Sequence, residues 1–392
     1  MAMPALVVTG LPGSEKHISV DNLAADWLPQ LGGGPAPAVV RSHHQAKSIL
    51  VTGAGGWIGS SLAKAIGQAA PHRLVLLDHS EHDLSQIYRE LVEENPSNKS
   101  ALVPVPGDIC DERLLHALFH RYRPAIVYHL AAMKHVPLAE SNPFAAIRNN
   151  AIGTYRLVLA AHEYGADELV LVSTDKAATP RSVMGVSKRV AELTLLSLNS
   201  EKTLLKAVRF GNVFGSRGSA IPLFLRQISQ GRPVTITHPE VRRYFFSLQQ
   251  AIGLVLSTAC IAHFGGIFIP ASGRQVSIRE LAECLIRKAG HIPGTEIPIR
   301  YTGLQPGEKL NEDLTSCCEI AGDSIEGVLR SVNSPRMSVM ALHRAIAHLE
   351  HSVEQFDLTS MLSSLGEMVP EYEPSETLLA SAGIQWRNPE VI

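Results

Sequence analysis

A short apolar run, Lys47 to Thr52, leads straight into Gly53-Ala-Gly-Gly56-Trp-Ile-Gly59 and then into helix-forming sequence through about Gln68. That order constrains the fold more than any other feature. The run has the length and character of a parallel strand buried on both faces. Glycines at Gly53, Gly56 and Gly59 leave the turn bare of side chains, so its backbone amides and the helix N-terminus can approach a pyrophosphate. The glycine pattern alone is a weak signal, and the strand before it and the helix after it give it weight. The next strand, Arg73 to Leu77, ends at Asp78. A carboxylate there can hold both ribose hydroxyls and would repel a 2′-phosphate, which favours NAD over NADP. Trp57 and Ile58 belong to the same cofactor-binding turn. The competing reading of Asp78 is a helix cap, with His79 and Ser80 beside it.

Strand and helix signals keep alternating. Ala101 to Val105 ends near Gly107-Asp108-Ile109, Ala125 to Leu130 at Ala131-Ala132, Glu168 to Val172 at Ser173, and Ala207 to Phe210 at Gly211-Asn212. Such alternation predicts an α/β fold, a Rossmann-type doubly wound parallel sheet with a smaller C-terminal substrate-binding lobe. Ligands bind beyond the carboxyl ends of such strands, where these polar residues fall. Asp108 and Ile109 are expected near the adenine, although a helix N-cap fits Asp108 equally well. Ala131 and Ala132 suit a backbone lying close to the cofactor. Lys134 and His135 follow, with a structural role equally open for His135.

Four segments emerge: an N-terminal extension and linker (1–46), the dinucleotide domain (47–212), a sugar-nucleotide lobe with late returns to the sheet such as Gly266 to Ile269 (213–330), and a helical tail (331–392). In the first, Val20 to Leu28 could form a short helix, and Gly32 to Pro37 reads as linker. The formal charge of −2 and 45% apolar content describe a globular chain, not one held to nucleic acid or a membrane surface by charge. Five cysteines lack metal-ligand spacing and read as free thiols in a reducing compartment. No apolar run approaches the ~20 residues of a membrane span, so a soluble, cytoplasmic protein is expected.

The chemistry-bearing stretch is Ser173-Thr174-Asp175-Lys176, followed by Met184-Gly-Val-Ser-Lys188. An acid beside an amine at a strand's carboxyl end can move protons, although a solvated loop pair is the plain alternative. Met184 and Lys188 are one helical turn apart and share a face. Arg217, Arg242 and Arg243, with Glu308 and Lys309, lie in Gly- and Pro-bearing loops, and guanidinium groups match a diphosphate. Lys134, Asn212, Arg217, Arg243 and Glu308 are the expected substrate contacts.

These residues resemble a known family. Gly53-Ala-Gly-Gly-Trp-Ile-Gly-Ser, His129-Leu-Ala-Ala-Met-Lys-His-Val-Pro, Ser173-Thr-Asp-Lys-Ala, Val183-Met-Gly-Val-Ser-Lys-Arg, Arg209-Phe-Gly-Asn-Val-Phe-Gly and Gln305-Pro-Gly-Glu-Lys-Leu all match it. It is the polysaccharide-biosynthesis branch of the extended short-chain dehydrogenases, and within it the UDP-N-acetylglucosamine 4,6-dehydratases. The resemblance implies a hydro-lyase that uses NAD to convert a UDP-N-acetylhexosamine to its 4-keto-6-deoxy form. It implies Lys176 as base at carbon 5, Asp175 as acid for the departing hydroxyl, Thr174 on the 4-hydroxyl and Lys188 on the cofactor. Relatives usually carry tyrosine where Met184 stands. A group with methionine there retains configuration at carbon 5, and its members are usually long and membrane-anchored. The resemblance also implies a homo-oligomer built through helices near 144–164 and 184–199. For the proposed roles, burial or a nearby cation must lower the Lys176 amine and desolvation must raise the Asp175 carboxyl. A 4-epimerase, a 5,6-dehydratase and a non-catalytic binder of NAD and UDP-sugar remain alternatives.

Overall fold

The computed structural model describes residues 6–10, 14–18, 27–28, 34–216, 218–260 and 263–386. The first strands, β1 (Leu6–Gly10) and β2 (Ser14–Ile18), pair as an antiparallel hairpin. The parallel sheet begins with β3 (Ser48–Thr52), β4 (Arg73–Asp78), β5 (Leu102–Pro106), β6 (Ile126–His129), β7 (Glu168–Thr174) and β8 (Leu204–Phe210). They lie in the order β5-β4-β3-β6-β7-β8, the doubly wound arrangement, whose order reverses between β3 and β6. Beyond β8 the sheet continues with β12 (Gly266–Pro270), parallel, and with the antiparallel strands β16 (Leu329–Asn333) and β15 (Ile320–Ile325).

Period-two alternation sends neighbouring side chains to opposite faces. Ile49 and Val51 of β3 pack with Leu62, Ile66 and the helix Leu248–Cys260 on one face. Leu50 packs with Leu115, Phe119 and Leu157 on the other. Both faces are therefore covered, and the polar strand ends are left as the accessible edge.

The smaller lobe hangs from the carboxyl end of β8. Gly211 leads into β9 (Asn212–Val213), which joins β11 (Arg242–Phe246) and β13 (Gln275–Ser277) in a three-stranded sheet among the described residues. A second pair, β10 (Val234–Ile236) with β14 (Ile299–Tyr301), completes it, and the helices Ala220–Ser229 and Ile278–Lys288 cover its core.

Within the segment 1–46, expected as extension and linker, Pro37–His44 is a helix with proline in its first turn. Its His44 is fully buried and bonds the Tyr128 hydroxyl at 2.6 Å. The helix expected over Val20 to Leu28 lies almost wholly outside the described residues.

The tail bears on one of the helices named in the oligomer expectation. Helix Val183–Leu198 is buried from Val183 through Leu195. The tail helices Val339–Glu354 and Leu358–Met368 supply Leu342, Ile346, Met361 and Leu365 to a common core with Val186, Val190 and Leu193. Each such buried side chain is worth about 1.5–3 kcal/mol, so the tail is firmly seated. It covers one face of the helix Val183–Leu198.

Candidate functional site

The glycine turn is shaped by what side chains would strike. Gly53 has φ 67°, and a Cβ on it would sit 2.6 Å from the Ala131 amide nitrogen. A Cβ on Gly59 would fall 2.0 Å from the Gly53 carbonyl oxygen. The turn therefore lies directly on the end of β6, which explains the small residues Ala131 and Ala132 there. The helix Trp57–Gly67 starts at Gly56 without a side-chain cap, so its first amides are left for an outside acceptor. Trp57 Nε1 is buried without a hydrogen-bond partner among the described residues. Ile58 is half-buried beside it.

Asp78 joins this turn to the second strand. Its Oδ2 accepts from the Gly55 amide at 2.8 Å and its Oδ1 from the Ser80 amide at 2.9 Å. The following helix is capped by Ser80, not Asp78. Asp108 accepts from the Cys110 amide, while Asp111 caps the next helix. Ile109 turns its side chain into the core against Gly153, which leaves only its backbone to face a cofactor. A Cβ on Gly218 would lie 2.7 Å from the exposed His135 ring, so the loop bearing Lys134 and His135 meets the start of the smaller lobe. Lys134 is exposed on that loop. Arg217 lies outside the described residues.

Alternation along β7 separates its last two residues. Ser173 turns back and donates to Glu192 at 2.6 Å. Thr174 turns the other way and donates to Asp175 Oδ1 at 2.9 Å. Asp175 and Lys176 form a short 3-10 turn with Ala177. Lys176 Nζ donates to Asp175 Oδ1 at 3.0 Å and to Asn212 Oδ1 at 3.3 Å. The Asp175 side chain is fully buried, yet its Oδ2 has no hydrogen-bond partner among the described residues. Gly211 makes room for that oxygen, which would stand 3.0 Å from an added Cβ.

A further residue, Glu312, reaches this pair. Its Oε1 lies 3.6 Å from Lys176 Nζ and its Oε2 3.0 Å from Lys309 Nζ. Sequence reading passed it over, since it stands two residues beyond the matched segment Gln305 to Leu310. Burial lowers the Lys176 amine, but Asp175 and Glu312 outweigh that and hold it above its ordinary value. That is the opposite of what the base role demands of Lys176. Lys188 is the lowered amine: burial brings it to about 8 against the opposing charge of Glu192.

Met184 is buried in the core shared with the tail. Ser182 caps the helix, and Glu140 accepts from the Val183 amide at 2.6 Å. Ser187 is tied through Asn150 to the Met133 backbone, and Asn150 sits in a π-helical turn, Arg148–Ile152. His129 is held between Thr52 and Thr154, and burial together with the Lys188 charge keeps it neutral.

The arginine group expected to face a diphosphate is divided. Arg243 is buried and bonds Glu308 at 2.8 Å and the Leu310 carbonyl at 3.0 Å. Arg242, next on the strand, is exposed and bonds the Gln275 carbonyl. Alternation along β11 accounts for the split. Arg243 and Glu308 therefore hold each other.

The geometry can be set beside known proteins. A family model described as polysaccharide biosynthesis protein matches residues 49–326. The chain is 45% identical over 276 residues to the capsular polysaccharide biosynthesis protein CapD of Staphylococcus aureus, covering 70% of this chain and 46% of that protein. It thus spans about half the length of that relative. It is 32% identical over 276 residues to the inverting UDP-N-acetylglucosamine 4,6-dehydratase of Campylobacter jejuni serotype O:2, covering 69% and 78%. It is also 32% identical over 285 residues to the UDP-glucose 4-epimerase of Rickettsia rickettsii, covering 70% and 79%. Among solved structures, Pen from Bacillus thuringiensis superposes with a TM-score of 0.67 at 30% identity, covering 76% and 92%. UDP-glucose 4-epimerase from Stenotrophomonas maltophila, solved with bound NAD and formylated UDP-arabinopyranose, shares the fold with a TM-score of 0.58 at 19% identity, covering 68% and 88%.

Proposed function

The chain belongs to the polysaccharide biosynthesis protein family, whose members include nucleotide-sugar dehydratases and epimerases, and from that premise we propose that it is an NAD-dependent 4,6-dehydratase acting on a UDP-N-acetylhexosamine, with UDP-N-acetylglucosamine as first candidate. The observation that carries the reading is the Asp175–Lys176 pair at the carboxyl end of β7, its Asp175 side chain fully buried with Oδ2 unpartnered among the described residues. An epimerase needs no such pair to eliminate water.

The residues at the reversal of strand order fit a dinucleotide. Gly53, Gly56 and Gly59 would hold its pyrophosphate, Asp78 its ribose, and Lys188 the ribose on the nicotinamide side. NAD, when bound, supplies the reversible hydride transfer that oxidises carbon 4 and reduces carbon 6.

Elimination needs a neutral acid and a neutral amine, and one proton passed from Lys176 to Asp175 supplies both without changing net charge. Lys176 takes the proton from carbon 5, acidified by the 4-ketone. Asp175 gives its proton to the carbon-6 hydroxyl, the C6–O bond breaks and water leaves, and Lys176, after exchange with solvent, returns a proton to carbon 5. Thr174 would hydrogen-bond the 4-hydroxyl. Met184 has no proton to exchange, so Lys188, at about 8 and one turn along the same helix, is the group to take the 4-hydroxyl proton, directly or through Thr174.

Incubation with UDP-N-acetylglucosamine in heavy water, read by mass and NMR, tests the reading. A product lighter by one water, with a 4-keto-6-deoxy sugar and deuterium at carbon 5, is expected. An unchanged mass with inverted carbon 4 would make the chain an epimerase, and an enol ether would make it a 5,6-dehydratase. Binding of both ligands without turnover would leave a non-catalytic binder.

A further inference from the structure

We propose that Glu312 is a positioning residue for Lys176, fixing the ammonium beside Asp175 and restraining the release of its proton. This deepens the reading of Asp175 and Lys176 as the acid–base pair and rests on it. Glu312 comes from the segment that follows β14, not from the strand that carries the pair. It is 2% exposed, and its Oε1 lies 3.6 Å from Lys176 Nζ. Its Oε2 stands 3.0 Å from Lys309 Nζ without hydrogen-bond alignment, so that buried oxygen has no hydrogen-bond partner among the described residues. Lys309 in turn donates to the Thr179 carbonyl at 3.0 Å. The same segment therefore grips the loop just past the pair and sets a carboxylate against its amine.

Asp175, Lys176, Glu312 and Lys309 alternate in charge along this line. Burying an underbonded carboxylate costs stability, so packing alone does not account for it. The charged groups facing Lys176 are Asp175 on its own turn, Glu312 from the far segment and Arg243 from β11. Asn212 adds a neutral acceptor. The two carboxylates prevail over burial and over Arg243.

The decisive property is the sign of the response. Glu312→Gln removes an anion near the amine and should lower the pH at which Lys176 loses its proton, by about one unit. Lys309→Met leaves Glu312 uncompensated and should raise that pH. Lys176 is 17% exposed, within reach of a small acylating reagent. Its acylation against pH, followed by peptide mass spectrometry, reads the midpoint without reference to turnover. In parallel, the acid limb of carbon-5 exchange should move down in Glu312→Gln by the same amount, and Glu312→Asp should restore part of the shift. A midpoint unmoved in a Glu312→Gln protein with parental melting overturns the inference. So does movement in the same direction in both variants, which would mean general loosening. If Glu312→Gln fails to fold, Glu312→Asp decides by the same labelling: a smaller downward shift supports the role, and no shift overturns it. Opposite labelling shifts with no carbon-5 exchange in any protein would keep Glu312 in its role and remove the dehydratase reading instead.

Discussion

Two buried charge clusters lie on either side of β7, and they differ in how completely their oxygens are bonded. Behind the strand, fully buried Arg209 bonds Glu192 through Nε at 2.7 Å and Nη2 at 2.6 Å, and Glu319 through Nη1 at 2.6 Å and Nη2 at 2.8 Å. Ser173, Ser334 and the Ser316 amide supply further donors, and Arg189 stands 3.3 Å from Glu319. Every carboxylate oxygen of Glu192 and Glu319 has a donor. In front of the strand, Asp175 and Glu312 each keep one buried oxygen without a hydrogen-bond partner among the described residues. A satisfied network fixes structure, while an unsatisfied one at a strand's carboxyl end is where a ligand's atoms are needed. Arg209 and Glu192 bind β8 to the helix that carries Met184 and Lys188, so the rear cluster holds the platform on which the front one works.

The harshest trial of this contrast removes one member from each. Arg209→Met strands two buried carboxylates and should cost about 3–5 kcal/mol, visible as a large fall in melting temperature. Asp175→Asn should leave melting almost unchanged while cutting turnover by roughly 10²–10⁴. If Asp175→Asn melted as early as Arg209→Met, the front cluster would be structural too and the contrast would fail. Lys176→Ala sharpens it further. The variant should still bind NAD, followed by fluorescence titration, yet exchange no carbon-5 hydrogen with solvent. Retained exchange would take the base role away from Lys176.

Much of the front cluster could be read from residue order because its members are neighbours in the chain. Strand, glycine turn and helix are local signals, and so is a polar group at each strand's end. The rear cluster is different in kind. Arg209, Glu192 and Glu319 come from three separate elements, and an arginine within an apolar strand carries no mark of its partners. Glu312 was missed for the same reason, since only the lobe's fold brings it to Lys176. The raised Lys176 was legible only in part: against burial, Asp175, its chain neighbour, raises it most, and Glu312 adds to that. The pairing of Arg243 with Glu308, and the exposure of Arg242, could not be read in advance because period-two alternation on a short strand cannot be phased without its sheet. The tail's position over the helix Val183–Leu198 was equally invisible, since amphipathic helices do not announce which face they cover.

Acid titration separates the clusters with a smaller effect. Burial pushes the Glu319 carboxyl up, but Arg209 and Arg189 outweigh it and hold the group at about 2, against an ordinary 4.5. A depressed carboxyl stabilises the fold above its unfolded value, and that contribution is lost as pH falls from 4.5 towards 2. The loss should reach about 3 kcal/mol by the lower end. Urea midpoints measured across this window should fall steeply in the parent and less steeply in Glu319→Gln. Equal slopes would mean that Arg209 does not hold Glu319 ionised.

The smallest effect comes from a third group, at the amino ends of the strands, which serves as a control for the other two. Here Glu168 joins His43 and Lys206, while His44 of the helix Pro37–His44 bonds Tyr128 and the Val40 carbonyl. Burial lowers the His44 imidazole to about 4, with nearby His43 adding to the effect and Glu168 opposing it. The unfolded chain takes up this proton near 6.5 and the folded one only near 4. Stability therefore rises with pH across that window and is fully present above it. Because the helix sits at the sheet's margin, the loss should be local. Amide exchange in 37–44, corrected for intrinsic rate, should be several-fold faster at pH 5 than at pH 7, with exchange around Arg209 unchanged. His44→Asn, which cannot titrate, should exchange faster at both values and show no such difference. If acid loosened Arg209's surroundings as much as this helix, the three charge groups would form one cooperative unit, and assigning them separate duties would be wrong.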